Sequence, residues 1–168
     1  KMSKDIDEME KMLNDYLQFA KTQAQENTIR IDLVPLFNKI KKQFNSEKLT
    51  ISSECEIELE GRPMALKRSF ENIIQNGLTY GNKVFVNIQR GNNRASITIE
   101  DDGTGIPEDQ YKNVFKPFFR LDKSRSLNQS GVGLGLAIVE DIINSHGGII
   151  HLGKSKFNGL QVKISLPF

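Results

Sequence analysis

The sequence predicts an α+β protein, and two kinds of hydrophobic pattern support this fold class. Short segments in which apolar and polar residues alternate predict β-strands, and the clearest of them come in pairs joined by turns that contain glycine and asparagine. Longer segments in which apolar residues recur every three or four positions predict amphipathic helices. One such helix lies before the segment in which helices and strands are mixed, so we expect one globular domain with an appended N-terminal helix.

The first helix extends from Ile6 to Ala24. Five of its residues are spaced alternately three and four apart, as in a coiled-coil seam: Ile6, Met9, Leu13, Tyr16 and Ala20. An ordinary amphipathic helix packed on its own domain would give the same pattern over so short a stretch. The segment "ENTIR" breaks the pattern, so we place a boundary in the mid-twenties.

A second helix and a strand follow. Asp32 is the predicted N-cap of the helix "DLVPLFNKIKKQF", whose apolar face is formed by Leu36, Phe37, Ile40 and Phe44. Residues 51–59 alternate in polarity and predict one half-buried strand. Cys55 lies on its inward face, where we expect a small hydrophobic residue without chemistry.

The remaining elements alternate between helices and hairpins. Pro63 and Gly81 bracket a helix with a stripe of Leu66, Phe70, Ile73, Ile74 and Leu78. The strands "KVFVNIQR" and "RASITIE" flank the turn "GNN", and the second leads directly into Asp101. A last helix, "LGLAIVEDIINS", ends before Gly147 and Gly148, and "GIIHL" and "LQVKISL" form the last hairpin.

Composition argues against several functional classes. The chain has 168 residues, of which 38% are hydrophobic, and its net charge of +2 comes from scattered lysines rather than a basic patch for nucleic acid. The single cysteine cannot form an internal disulfide, and no Cys/His group has zinc-ligand spacing. No apolar run approaches the roughly 20 residues that span a bilayer. We therefore expect a cytoplasmic fragment.

Two polar groupings are candidates for a binding site. Asn72 and Asn76 lie four residues apart and share a helix face with Tyr80, either as a solvated face or as ligands, because a carboxamide oxygen can bind a hard cation such as Mg²⁺. Three glycines open the last helix, namely Gly131, Gly133 and Gly135. They form either a mobile loop or a phosphate-binding helix start. Their spacing matches neither the dinucleotide fingerprint nor the Walker motif.

Four motifs, in order, resemble the ATP-binding domain of sensor histidine kinases, within the wider family of gyrase, Hsp90 and MutL. "FENIIQNGLTYG" is similar to the N box, "DDGTG" to the G1 box, "FKPFFR" to the F box and "GVGLG" to the G2 box. The short matches "YGN", "NRA" and "EDDGTGI" resemble the EnvZ-like osmosensing kinases. The resemblance implies a two-layer α/β sandwich of the Bergerat type, with a mixed, mostly antiparallel sheet and helices on one face.

The same resemblance assigns the nucleotide contacts. Asp101 would accept a hydrogen bond from the adenine amino group, which guanine's carbonyl cannot donate. Gly103 and Gly105 would let the backbone turn beneath the purine, and Ile106 and Leu136 would pack on it. Asn76 would bind Mg²⁺, Asn72 would support the phosphates and Tyr80 would line the pocket.

The resemblance further implies a lid over the triphosphate. Phe115 and Phe118, stiffened by Pro117, would anchor the segment "DKSRSLNQS". The remaining implied ATP contacts are Arg120, Arg125, Gly131, Val132, Gly133, Leu134 and Gly135.

The sequence also departs from the family pattern. Thr79 stands where many relatives carry a basic residue, so Arg120 and Arg125 are the candidates for charge compensation. Asn72 stands where hydrolytic members place a catalytic glutamate, so rapid ATP hydrolysis is not expected. Neither His146 nor His151 is placed to accept a phosphoryl group. His146 ends the last helix, where a cation would favour the helix dipole.

These observations predict the catalytic half of a histidine kinase, with no catalytic side chain of its own in this chain. Residues 1–26 would be the second helix of a dimerisation hairpin and residues 27–168 the ATP-binding domain. The domain would bind ATP and Mg²⁺ and present the γ-phosphoryl to a histidine elsewhere in the same or a partner subunit, for transfer to a response-regulator aspartate. The full protein would be a homodimer anchored in the bacterial inner membrane. A non-catalytic nucleotide sensor and an ATP-driven clamp are the alternatives.

Overall fold

The computed structural model of the protein describes residues 2–44, 47–121 and 133–168. Within them the elements are, in chain order, α1 (Met2–Gln25), β1 (Ile29–Asp32), α2 (Leu33–Gln43), β2 (Leu49–Ser53), β3 (Glu58–Gly61), α3 (Pro63–Tyr80), β4 (Val84–Arg90), β5 (Arg94–Asp101), α4 (Gly135–Ser145), β6 (Ile149–Lys154) and β7 (Leu160–Pro167). Two short 3₁₀ turns, Glu108–Gln110 and Asn113–Phe115, lie between β5 and α4.

The main sheet has five strands in the order β2-β4-β5-β7-β6. Only the β2–β4 pair is parallel, and the other neighbours are antiparallel. One face carries buried aliphatic side chains, represented by Val86, Ile97 and Ile164, and α2, α3 and α4 contact the sheet. The alternate residues, such as Asn87 and Thr98, are partly exposed. The predicted two-layer fold with a mixed, mostly antiparallel sheet is confirmed.

Helix α3 is the central element of the helical layer. Pro63 occupies its first turn, and the Gly81 N–H donates to the Gly77 carbonyl at its end, as the sequence predicts. Phe70 is fully buried and packs against Phe37 of α2, with ring centroids 4.5 Å apart. Because α3 contacts both α4 and the central strands, it fixes the position of every polar residue on its face.

The predicted strand over residues 51–59 is wrong. The chain bends after Ser53, whose hydroxyl donates to the Cys55 carbonyl at 2.8 Å, and pairing resumes only in β3. Strand β2 joins the main sheet, whereas β3 pairs with β1 in a separate two-stranded sheet. Cys55 lies at the bend and is exposed instead of buried. One local hydrogen bond stabilises this bend, and the alternation of polar and apolar residues continues through it. The sequence pattern therefore gives no sign that the strand is interrupted.

The predicted cap of α2 is confirmed. The Asp32 carboxylate accepts a hydrogen bond from the Val34 N–H at 3.0 Å, which satisfies one of the free amide groups at the helix start. Leu36, Phe37 and Ile40 are buried, as predicted.

Helix α1 exposes its apolar seam. Ile6, Met9 and Leu13 are each about three-fifths exposed, and Tyr16 is 42% exposed. The α1 residue that packs on the described part of the domain is Phe19, which is buried with the Arg68 guanidinium 5.1 Å from its ring centroid. The seam therefore does not pack on its own domain, and this excludes the interpretation of the pattern as an ordinary amphipathic helix packed there.

The end of α1 is held to the start of α3 by hydrogen bonds. The Glu26 carboxylate accepts from the Met64 N–H at 2.6 Å and from the Ala65 N–H at 3.1 Å, so it caps α3 from outside the helix. The Arg62 guanidinium donates to the Gln23 carbonyl at 3.0 Å and to the Ser145 hydroxyl. These contacts join α1, α3 and α4 in one junction.

His146 completes this junction as a neutral side chain. Its Nε2 accepts the Arg62 N–H at 3.0 Å, and its Nδ1 lies 2.7 Å from the Ile142 carbonyl, so the geometry requires the proton on Nδ1. Burial lowers the pKa of His146 from 6.5, and the nearby Arg62 charge lowers it further. The expectation of a cation at this helix end is wrong, because a protonated Nε2 could not accept the Arg62 N–H. His151 lies in β6 and is exposed.

No helix among the described residues is long and apolar enough to cross a membrane.

We expect Ser69→Ala to stabilise the protein. The Ser69 hydroxyl is fully buried in α3 and has no hydrogen-bond partner among the described residues, so the serine carries a desolvation cost that alanine lacks. Urea denaturation should give an increase of about 1 kcal/mol in the free energy of unfolding. Gln75→Ala, at an exposed site on the same helix, should change it by less than about 0.5 kcal/mol. A loss of stability in Ser69→Ala would show that the hydroxyl has a stabilising partner.

We expect the His146 contact to weaken below neutral pH. Because the folded-state pKa is lowered, the unfolded chain takes up a proton first, so this contribution to stability is complete above pH 6.5 and is lost as pH falls toward the folded-state pKa. The wild type should therefore lose more thermal stability between pH 7.5 and pH 5.5 than His146→Gln. Identical slopes of melting temperature against pH would contradict the assignment.

Candidate functional site

Asp101 is a buried carboxylate at the end of the central strand β5. Its Oδ1 accepts the Gly103 N–H at 2.9 Å and the Leu160 N–H at 3.1 Å. Its Oδ2 makes no hydrogen bond with the described residues. Burial raises the pKa of Asp101, and the two backbone hydrogen bonds oppose that increase. The carboxylate thus has one oxygen fixed by the fold and one that remains available.

A narrow cleft surrounds this carboxylate. It lies between α3, the sheet and the start of α4 and opens to solvent. The described residues that line it are Ile73, Asn76, Gly77, Val84, Ile99, Asp101, Leu136, Leu160 and Val162. An apolar wall with one acidic acceptor suits a flat heterocycle that carries a hydrogen-bond donor.

Two glycines allow the helix and the loop to approach Asp101 closely. A methyl group on Gly77 would lie 2.6 Å from Val84 Cγ2 and 3.2 Å from Asp101 Cβ. One on Gly103 would lie 2.7 Å from the Tyr80 carbonyl oxygen. Any side chain at either position would overlap these neighbouring atoms, so glycine is required at both.

Gly105 is required for a different reason. Its φ of +71° lies in the left-handed region that favours glycine. It also packs against the turn between β6 and β7, since a Cβ there would lie 3.3 Å from the Gly159 carbonyl oxygen.

The two consecutive acids of "DDG" have opposite environments. Asp102 points away from the cleft, and its Oδ1 accepts the Asn82 N–H at 2.7 Å and the Lys83 N–H at 2.8 Å. The hydrogen bond from Lys83 is the main reason that the pKa of Asp102 is lowered, while that of Asp101 is raised. Asp102 ties the α3–β4 loop to the end of β5, a role that the sequence analysis did not assign.

The α3 residues of the predicted site differ in their relation to the cleft. Asn76 lines it, and its Nδ2 is 3.9 Å from the position of a Cβ on Gly135. Asn72 is partly buried one turn earlier, and neither amide side chain makes a hydrogen bond with the described residues. Tyr80 is 56% exposed and is not among the lining residues.

The phenylalanine-rich segment packs against the second glycine cluster. The Phe118 N–H donates to the Gly133 carbonyl at 3.0 Å, and a methyl group on Gly133 would lie 2.7 Å from the Phe119 carbonyl oxygen. Both Gly133 and Phe118 have positive φ, +75° and +64°. Phe118 is exposed and Phe115 is partly buried. The structure therefore gives Gly133 a packing role in addition to its predicted contact with phosphate.

The other predicted residues are distributed as follows. Leu134 is buried just before α4, which begins at Gly135, and Leu136 lines the cleft. Ile106 packs against the core without lining the cleft, and Arg120 is partly buried. Outside the described residues lie Arg125, Gly131, Val132 and the predicted lid segment over residues 122–130.

Sequence reasoning missed much of the cleft wall, namely Ile73, Gly77, Val84, Ile99, Leu160 and Val162. The hydrophobic pattern marks most of these as core residues but cannot tell which of them border a cleft. Gly159, which contacts Asp101 across the fold, had one weak signal, the "NG" turn dipeptide before β7.

The described residues hold no group of three or more His, Cys, Asp or Glu that could bind a metal on its own. Asn76 is the single predicted ligand in the cleft. This donor set fits Mg²⁺ only if the substrate phosphates and water complete its shell, as they usually do.

The chain resembles known proteins over most of its length. Residues 61–168 match the family described as Histidine kinase-, DNA gyrase B-, and HSP90-like ATPase. The sensor histidine kinase GtrS of Pseudomonas aeruginosa is 32% identical over 169 residues, covering 99% of this chain and 35% of GtrS. The sensor histidine kinase CpxA of Escherichia coli is 39% identical over 110 residues, covering 65% of this chain and 24% of CpxA. The chain thus spans about a third or less of these two relatives.

A solved structure supports the same relationship. The NMR structure of the histidine kinase domain of the E. coli osmosensor EnvZ aligns with a TM-score of 0.65 and 33% identity, covering 85% of this chain and 91% of that domain. The predicted family and the predicted likeness to EnvZ are confirmed. The chain therefore belongs to the Histidine kinase-, DNA gyrase B-, and HSP90-like ATPase family, among the sensor histidine kinases.

Proposed function

We propose that this chain is the ATP-binding catalytic part of a two-component sensor histidine kinase and that the cleft at Asp101 receives the adenine of ATP. The observation that carries the proposal is Asp101 Oδ2, which lies within an apolar wall and accepts no hydrogen bond from the described residues, while Oδ1 is held by two backbone N–H groups. A buried anion of this kind calls for a donor from a ligand.

Adenine supplies that donor. Its exocyclic amino group can donate to Oδ2, whereas guanine presents a carbonyl at the corresponding position and would repel the carboxylate. The flat base would pack between aliphatic side chains such as Ile73 and Leu136. Recognition would therefore favour ATP over GTP through one charge-assisted hydrogen bond.

The phosphates would extend from the cleft toward the start of α4. Asn76 lies between Asp101 and Gly135, and the N-terminus of α4 provides free amide groups and a favourable dipole for an anion. Asn76 would supply one oxygen to Mg²⁺. Thr79 donates to the Gln75 carbonyl and brings no positive charge, so Arg120 and Arg125 remain the proposed cationic partners.

Phosphoryl transfer would then depend on positioning. Such reactions need little covalent help from the protein, and the proposed machinery contains no base that would activate water, since Asn72 is an amide. The γ-phosphoryl would pass to a histidine outside this chain and then to an aspartate of a response regulator.

Combining this chain with a phosphoacceptor hairpin and ATP should produce phosphohistidine. A folded, ATP-bound chain that transfers no phosphoryl group would instead favour a nucleotide-sensing module, a function that the uncharged Thr79 mildly supports.

Helix α1 would belong to the dimerisation hairpin. Its exposed seam of Ile6, Met9, Leu13 and Tyr16 needs a helical partner. We therefore divide the chain into residues 1–26, part of the hairpin, and residues 27–168, the ATP-binding unit. The full-length protein would be a homodimer anchored in a bacterial inner membrane.

We expect Asp101→Asn to weaken ATP binding while the protein stays folded. The amide would place a donor against the adenine donor, and loss of a hydrogen bond to a charged group costs about 1.5–3 kcal/mol. Titration with a fluorescent ATP analogue should show Kd raised roughly tenfold to a hundredfold.

The matched control for that experiment is Asp109→Asn, which removes the same charge at an exposed position that does not line the cleft. It should bind ATP as tightly as the wild type. Unchanged affinity in folded Asp101→Asn would rule out the cleft as the adenine site.

We expect Asn76→Ala to reduce nucleotide binding more with Mg²⁺ than without it. The substitution removes an oxygen from the metal shell and leaves the Asp101 contacts in place. Calorimetric titrations with an ATP analogue, in Mg²⁺ and in a chelator, measure the difference. An equal loss under both conditions would eliminate Asn76 as a metal ligand.

A further inference from the structure

Gly159, in the turn between β6 and β7, lies directly against the Asp101 carboxylate. A Cβ built on Gly159 would collide with Asp101 Oδ1 and with the Asp101 carbonyl oxygen, and would lie 2.6 Å from the Gly103 nitrogen. These are backbone atoms and a carboxylate held by two hydrogen bonds, so none can move without disturbing the cleft. Gly159 is separated from Asp101 by 58 positions in the sequence, and no motif connects them.

The neighbouring residue supplies a direct contact. The Leu160 N–H donates to Asp101 Oδ1 at 3.1 Å, from the first residue of β7. The Leu160 side chain also lines the cleft. The Gly159–Leu160 peptide therefore combines a close steric approach with a hydrogen bond to the same oxygen.

The turn itself is rigidly built. The Ser155 N–H donates to the Gly159 carbonyl at 2.9 Å, the Asn158 N–H donates to the Ser155 carbonyl at 3.1 Å, and the Phe157 N–H donates to the Ser155 hydroxyl at 3.0 Å. Phe157 stacks on Phe85 of β4, with ring centroids 4.0 Å apart. The turn is thereby attached to the sheet on the side opposite the helices.

We propose that the Gly159–Leu160 peptide is a positioning element for Asp101: it holds Oδ1 so that Oδ2 points into the cleft and selects adenine. Gly103 holds the same oxygen from the loop after β5, at 2.9 Å. With both N–H groups in place the carboxylate cannot rotate without breaking a hydrogen bond. Gly159 has no positive φ, so contact distance alone demands glycine there.

This inference rests on the proposed ATP site, and the test keeps the two separate. Gly159→Ala should raise the Kd for ATP at least about tenfold and reduce the preference for ATP over GTP, because the added methyl group turns the carboxylate. The control is Gly153→Ala in the same hairpin, where a Cβ would meet only the flexible end of Gln161 at 3.3 Å. Gly153→Ala should leave the Kd for ATP and the preference for ATP over GTP unchanged.

A double-mutant cycle shows whether Gly159 acts through Asp101. In the Asp101→Asn background, Gly159→Ala should cost much less than in the wild type, since the oriented carboxylate is already lost. Full additivity would mean that the turn affects binding by another route and would overturn the proposal.

A second variant covers the case in which Gly159→Ala does not fold. Replacing the Leu160 backbone N–H by an ester oxygen removes the donor without adding bulk, and the same loss of affinity and of ATP preference is expected. Unchanged values in this folded variant would refute the positioning role. If the wild type itself showed no ATP binding, or Asp101→Asn bound normally, the proposed function would fail instead.

Discussion

The structure is organised around one buried carboxylate. Asp101 ends the central strand β5 at the point where helix α3, the loop after β5 and the β6–β7 turn converge. A charge in such a place is costly, and two backbone N–H groups offset part of that cost at a single oxygen. Gly77 and Gly159 allow the surrounding backbone to close in on it. The remaining oxygen accepts no hydrogen bond from the described residues, and this incomplete satisfaction is the basis on which we propose the cleft as a ligand site.

The neighbouring acid shows how position alone separates two identical side chains. Successive residues at a strand end point to opposite sides, so Asp101 enters the interior while Asp102 turns to the α3–β4 loop. The pKa of the first carboxyl is raised by burial, and that of the second is lowered by backbone donors. Asp101 is the residue proposed for recognition, and Asp102 holds the end of α3, the helix that carries Asn72 and Asn76.

The junction at Arg62 gives the N-terminal helix a defined attachment. Glu26 caps α3 from the end of α1, Arg62 reaches back to the Gln23 carbonyl, and neutral His146 accepts the Arg62 N–H. The same helix leaves its apolar seam exposed. Helix α1 is therefore tied to the domain near one end by polar contacts and by Phe19, while the seam of Ile6, Met9, Leu13 and Tyr16 remains available to another helix.

The sequence by itself determined the α+β class, the bounds of α3, both hairpins and the Asp32 cap, because these follow from local periodicity and turn chemistry. It also located Asp101, Asn76 and Leu136 through ordered motifs. Only the tertiary structure decided that the predicted strand over residues 51–59 breaks in two, which leaves Cys55 exposed at the bend, and that His146 is neutral. The two halves of the strand pair with different strands, and the His146 ring accepts the N–H of Arg62, which is distant in the chain. Most of the cleft wall and the role of Gly159 arose in the same way: the register of β5 and β7 brings residues 58 positions apart into contact, and no local pattern records that distance.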